Sequence, residues 1–161
     1  MIRAAVGLGA NLGDAAASVR AAILALDTLP ATRLLAASRL YRSAAWGVTA
    51  QPDFVNAVAV VATALSPRAL LDGLLAIERR FGRVRVEGER WGPRTLDLDL
   101  LLHGDAVIDE PGLRVPHPHL HERAFALLPL VEAWPEVRIP GIGPAAACAA
   151  AMAAGGLDPL P

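Results

Sequence analysis

Two aspartates and a run of arginines are the side chains in this sequence best suited to chemistry. Asp97 and Asp99 sit two residues apart in the segment LDLDLLL. On a strand, such positions point to one face about 7 Å apart, while Leu96, Leu98, Leu100 and Leu102 take the other. Two carboxylates on so apolar a strand are costly through desolvation and mutual repulsion unless cations compensate them. Magnesium suits an oxygen-only site, because it keeps waters and takes its remaining ligands from substrate phosphates. No Cys/His cluster argues for zinc. A bare D-x-D can equally be two acids on a solvated face, paired with neighbouring arginines.

The flanking residues bear on that choice. All fifteen basic residues are arginines, and Arg79, Arg80, Arg83, Arg85, Arg90 and Arg94 fall within one short stretch against only Glu87 and Glu89. Planar guanidiniums match phosphate oxygens in two-point contacts. Arginines beside a metal-binding strand supply what polyphosphate transfer needs, which is positioning and neutralisation of developing charge. An arginine-bearing loop could also close over the phosphates. A general Arg and Ala bias would explain the missing lysines but not the clustering.

Composition narrows the remaining classes. The 161 residues suit one domain spanning the whole chain, 1–161, with a core of its own. Net charge is -1, against the basic excess of a nucleic-acid-binding face. Mean hydropathy is +0.41, largely from alanine, and no charge-free run approaches the roughly 20 residues of a membrane span. MIRAAVGLGANLGD lacks the apolar stretch of a secretory signal, so the expected address is cytoplasmic. Cys148 stands alone in an alanine run and is read as core filler.

Elements that would carry these residues follow from hydrophobic period. Ile2 to Leu8 reads as a strand, followed by a glycine-rich turn and an amphipathic helix from Asp14 to Leu29, capped by Asp14. Arg33 to Tyr41 and Phe54 to Thr63 read as strands joined by a loop over 43–53. Ser66-Pro67 starts a helix whose apolar face is Leu70, Leu71, Leu74, Leu75, Ile77 and Phe81, with Gly82 as its stop. Thr95 to Leu102 is the strand of the acid pair. Beyond it lie a Pro/His-rich loop at 116–121, a helix around Phe125 to Glu132 and an alanine-rich helix over 145–153. The predicted fold class is α+β, a ferredoxin-like βαββαβ core with additional C-terminal helices.

The string RWGPRTLDLD closely resembles the signature of the 6-hydroxymethyl-7,8-dihydropterin pyrophosphokinase family. GLGANLGD, LYRSAAWG, QPDFVNAV, GRVR and VPHPHLHERAF extend the resemblance in order over nearly the whole chain. It implies an ATP-dependent diphosphokinase of folate biosynthesis, which transfers pyrophosphate to the pterin's hydroxymethyl oxygen and releases AMP with two magnesium ions. By motif, Asp97 and Asp99 would hold both ions, and Arg83 and Arg94 would contact ATP phosphates and assist transfer. Arg85, Arg90, His117 and Arg123 would support nucleotide binding, as would Glu78 at the edge of its helix's apolar face. The pterin would lie between Phe54 and Phe125, with Asn56 and the backbone of Ser43, Ala44 and Trp46 against its polar edge. Trp91 would close over it, and Asp97 would also touch it. A flat heteroaromatic ring gains from two aromatic faces, and a buried amide offers both donor and acceptor. Taken alone, the two phenylalanines would more often be core. Gly88 stands as an inserted residue relative to the family's loop. The resemblance further implies small-molecule substrates, with neither nucleic acid nor membrane as partner, and action as a monomer.

Other readings fit less well. Gly7, Gly9 and Gly13 after a strand suggest a dinucleotide turn, but the spacing is wrong and Asp27 falls near a helix end rather than at the end of a second strand. A palm-type nucleotidyltransferase or cyclase also carries strand-borne carboxylates, and would usually release pyrophosphate. An RNA-binding module would need exposed aromatics on its central strands. A small-molecule-sensing domain remains compatible with the fold alone, and the arginines beside D-x-D argue against it.

Overall fold

The computed structural model describes residues 1–43, 52–82, 96–152 and 157–161. In chain order the elements are β1 (Ile2–Ala10), α1 (Ala15–Leu26), β2 (Thr32–Ala37), β3 (Tyr41–Ser43), β4 (Phe54–Thr63), α2 (Pro67–Arg80) and β5 (Asp97–His103). After these come β6 (Ile108–Glu110), β7 (Leu113–Val115), a 3-10 turn over Leu120–Glu122, α3 (Ala124–Ala133), β8 (Arg138–Ile139), β9 (Gly143–Pro144), α4 (Ala145–Ala150) and β10 (Leu157–Pro159). The protein is a mixed α/β structure whose main sheet is antiparallel, in the order β10-β3-β4-β1-β5 with β2 also paired to β4.

The helices start where their capping chemistry dictates. Asp14 accepts a bond from the Ala17 N–H at 3.0 Å, and Ser66 accepts one from Ala69 at 3.1 Å ahead of Pro67. The first helix stops at Leu26, short of the expected Leu29, where the Asp27, Thr28 and Leu29 N–H groups turn to carbonyls three residues back and the Thr28 hydroxyl joins the Ala25 carbonyl at 2.6 Å. Asp27 then accepts the Leu34 N–H at 2.7 Å from within β2, which ties the end of α1 to that strand.

Along β4, Val55, Ala57, Ala59 and Val61 face one way and Asn56 and Val58 the other, as the alternation predicts. The first set joins Val6, Leu8, Leu98 and Leu100 under α1 and α2, whose Val19, Leu26, Leu70, Leu74 and Ile77 complete that core. The opposite sheet face is covered over part of its length by Leu120, Leu127, Leu130, Ile139 and Ala145 from the C-terminal elements, packed on Ala5, Val58, Leu101 and Leu102. The sheet therefore lies between two apolar layers, and one end of its second face carries the acids.

Three departures from the predicted elements matter for that face. First, β1 runs past the expected end at Leu8 through Gly9 to Ala10, where a turn was expected, because it pairs with β4 on one side and β5 on the other. Second, the single strand expected over 33–41 is interrupted. Ser38 donates its N–H to the Val58 carbonyl and accepts the Val58 N–H on its side-chain oxygen at 3.0 Å, so a hydroxyl stands in for a backbone carbonyl. From Ala37↔Ala59 to Tyr41↔Asn56, four residues on this edge span three on β4, the signature of a bulge. Third, β10 pairs with the outer edge of β3, Leu157 opposite Ser43, and the Leu160 N–H bonds the Leu40 carbonyl at 2.8 Å.

A polar cluster ties α3 to that same edge. Glu132 accepts the Arg39 N–H at 2.5 Å and the Tyr41 hydroxyl, and the Arg39 guanidinium lies over the Tyr41 ring. Burial alone would push Glu132 up, but the Arg39 N–H, the Tyr41 hydroxyl and the Arg39 charge together hold its carboxyl below the ordinary value. Tyr41 is pushed up, first by burial and then by its bond to Glu132. Among the described residues no helix is long and apolar enough to cross a membrane.

Candidate functional site

The sheet register brings the acids and the predicted ring-binding residues together. Cross-strand partners share a face. Asn56 on β4, Gly9 on β1 and Asp97 on β5 form one row, and Val58, Gly7 and Asp99 form the next. Asp97 and Asp99 are both half-buried on this face, and Leu96, Leu98 and Leu100 are buried on the other as the strand period predicts. Leu102, expected with them, instead packs with Leu101 and Val58 in the opposite layer, because the β1–β5 register shifts by one residue at Ala5/Val6. Because both central residues are glycines, no side chain rises from β1 between Asn56 and the acid pair. Two strand spacings separate these groups, about 10 Å of flat backbone.

Asn56 is held from the side. Its carboxamide nitrogen donates to the Ser43 hydroxyl at 3.1 Å, and Ser43 lies opposite Phe54 in the β3–β4 register. Phe54 is half-buried and Phe125, at the start of α3, is 43% exposed, so neither is committed to the core as the commoner role of phenylalanine would have it. The Arg123 guanidinium lies 5.9 Å from the Phe125 ring centre, which puts these two predicted ligands side by side.

His117 follows a cis Val115–Pro116 bond and is anchored to the acid-bearing strand, its N–H donating to the Leu101 carbonyl at 2.9 Å. Its ring nitrogen Nδ1 meets the Pro118 carbonyl at 2.8 Å. Glu78 is buried deep on α2, 3% exposed, and accepts the Leu98 N–H at 2.7 Å. The predicted edge of the apolar face is thus an interior position, and this carboxylate grips the backbone between Asp97 and Asp99. Arg83, Arg85, Arg90, Arg94, Trp91, Ala44 and Trp46 lie outside the described residues.

Gly7, Gly9 and Asn11 are the site residues that the motif reading left without a role. The two glycines had a signal: a G-x-G of strand period places both on one face. Asn11, 1% exposed, reaches the Pro52 carbonyl with its amide at 3.4 Å, just before Phe54.

Chemically, the face offers two carboxylates, an amide and the half-buried ring of Phe54. Among the described residues no group of three or more His, Cys, Asp or Glu converges to hold an ion. A cation here would take oxygen from Asp97 and Asp99 and complete its shell from water or substrate, which is how magnesium binds and how zinc does not.

The profile of the 7,8-dihydro-6-hydroxymethylpterin-pyrophosphokinase (HPPK) family matches residues 5–135. The chain is 51% identical over 138 residues to the 2-amino-4-hydroxy-6-hydroxymethyldihydropteridine pyrophosphokinase of Pseudomonas aeruginosa, covering 86% of this chain and 84% of that protein. It is 58% identical over 120 residues to the protein of the same name from Pseudomonas putida, covering 74% of this chain and 98% of that one. Among solved structures it resembles wild-type Plasmodium falciparum HPPK-DHPS with a TM-score of 0.72, at 14% identity over 92% of this chain. The chain spans 43% of that longer one, and the likeness concerns the fold alone.

Proposed function

The chain belongs to the 7,8-dihydro-6-hydroxymethylpterin-pyrophosphokinase family and is a pyrophosphokinase of folate biosynthesis, and we propose that the glycine-floored face between Asn56 and the Asp97–Asp99 pair is its active site. The observation that carries this is the register itself, which places two glycines of β1, with no side chains of their own, between an oriented amide and two carboxylates.

In this reading 6-hydroxymethyl-7,8-dihydropterin lies on this face, stacked by Phe54 and Phe125, with Asn56 and the backbone of Ser43, Ala44 and Trp46 on its polar edge and Trp91 over it. Asp97 and Asp99 hold two magnesium ions, which when bound neutralise the polyphosphate and orient ATP. Arg83 and Arg94 contact the transferred group, while Glu78, Arg85, Arg90, His117 and Arg123 support the nucleotide. The hydroxymethyl oxygen forms a bond to the β-phosphorus and the bond from that phosphorus to the α-bridging oxygen breaks. AMP leaves and the hydroxyl proton is released to solvent. The residues of the chain thus bind, align and offset charge, the bulk of what such a transfer asks of a protein.

The same reading treats residues 1–161 as one ferredoxin-like domain with added C-terminal helices, supported by a sheet in which β5, β1, β4 and the interrupted β2–β3 edge lie side by side in that order. It takes the enzyme to be a cytoplasmic monomer acting on small molecules. The deciding assay is AMP release that requires the pterin, ATP and magnesium together. Release of pyrophosphate instead would refute it in favour of nucleotidyl transfer.

A further inference from the structure

Gly9 is a glycine that the backbone does not need. Glycine is usually kept where φ is positive, and in this protein Gly13, Gly82, Gly104, Gly112, Gly141 and Gly143 have such angles, whereas Gly9 does not. Inside a central strand glycine is unfavourable, since it loses more chain entropy on folding and packs no side chain. The reason for it must be steric. A methyl group at Gly9 would stand 3.0 Å from the carboxamide oxygen of Asn56, tighter than nine in ten real Cβ contacts, and 3.9 Å from the Val55 carbonyl. The corresponding methyl at Gly7 would meet only the Leu101 side chain, at an ordinary 3.4 Å.

We propose that Gly9 is a positioning residue for Asn56: its missing side chain lets the carboxamide lie over β1 with its nitrogen on Ser43 and its oxygen above the strand. In that pose the oxygen is an acceptor at the rim of this face, and it faces the donor-rich edge of a fused heteroaromatic ring. A methyl at position 9 presses on this oxygen, which must give by a few tenths of an ångström, and that shift strains the 3.1 Å bond to Ser43 and moves the acceptor from its setting. Gly9 therefore sets which ring edge the enzyme accepts without itself bonding to the ring. The inference rests on the pterin reading of this face given above.

The test is a double-mutant cycle on kcat/KM for 6-hydroxymethyl-7,8-dihydropterin, with KM for ATP measured alongside. Gly9→Ala should lower kcat/KM for the pterin about tenfold or more and leave KM for ATP within about twofold. In an Asn56→Ala background the same change should cost less than twofold, since the group it strikes is gone. Equal losses in both backgrounds, or an unchanged pterin kcat/KM in the single variant, would overturn the inference. If Gly9→Ala fails to fold by circular dichroism, the Gly9→Ala/Asn56→Ala protein carries the test. It should fold and match Asn56→Ala, and a further loss in pterin kcat/KM there, or failure of that protein to fold as well, counts against the role. The wild-type assay separates this from the underlying reading. No pterin-dependent AMP from the wild type sinks the reading, whereas normal wild-type turnover with an uncoupled Gly9 sinks only the inference.

Discussion

Replacing Glu78 with alanine should loosen the strand that carries the acid pair, and the effect can be sized from the contact itself. Glu78 is 3% exposed and its carboxylate takes the Leu98 N–H at 2.7 Å, within a residue that is itself 3% exposed. A hydrogen bond to a charged acceptor contributes about 1.5–3 kcal/mol, and a buried N–H that loses its acceptor forfeits a similar amount. Glu78→Ala should thus destabilise the protein by about 2 kcal/mol, which for a chain of this length lowers Tm by about 4–8 °C. Glu78→Gln keeps a carbonyl acceptor and should lose about half as much. Because Leu98 lies between Asp97 and Asp99, the alanine variant should also lose turnover at saturating substrates. Differential scanning calorimetry without any nucleotide is the direct check. A Glu78→Ala protein melting within about 1 °C of wild type would refute the backbone-gripping role.

Asp97→Asn and Asp99→Asn should each reduce AMP formation by about 100-fold or more while Tm stays within a few degrees, measured with magnesium in excess, and near-normal turnover would remove the carboxylates from the site. Glu132 supplies a pH test. Its folded pKa lies below its ordinary value of 4.5, so its contribution to stability is complete above that value and vanishes as pH falls through the lower, folded one. Tm should accordingly fall as pH drops below about 4.5, and Glu132→Gln should flatten part of that decline; an unchanged acid limb in the variant would show that the Arg39–Tyr41–Glu132 cluster adds nothing.

Much of this was legible in the residues because single physical rules governed them. The Leu/Asp alternation over 96–100 sorts buried from half-buried side chains as a strand must, and Ser66-Pro67 begins a helix for reasons local to those two residues. What stayed hidden depended on partners distant in the chain. Gly9 and Ala10 look like the start of a turn because glycine weakens strands, and pairing on both edges of β1 keeps Gly9 extended. The break at Ser38 depends on the Val58 amide twenty residues away, and the depth of Glu78 on the Leu98 amide at the same separation. At β10, Leu157-Asp158-Pro159 carries no strand pattern at all and is extended because β3 offers it an edge.

That last pairing separates two kinds of inheritance in the molecule. The family profile ends at residue 135, yet the strand that holds Ser43, and through it Asn56, is flanked on its outer edge by residues 157–159. An edge with a partner neither slips register nor recruits foreign chains. The edge strand beside Asn56 is thus supported by a segment outside the family-matched part of the chain, and if the proposed site is right, change in that tail can retune the amide's setting while every acid and arginine stays the same.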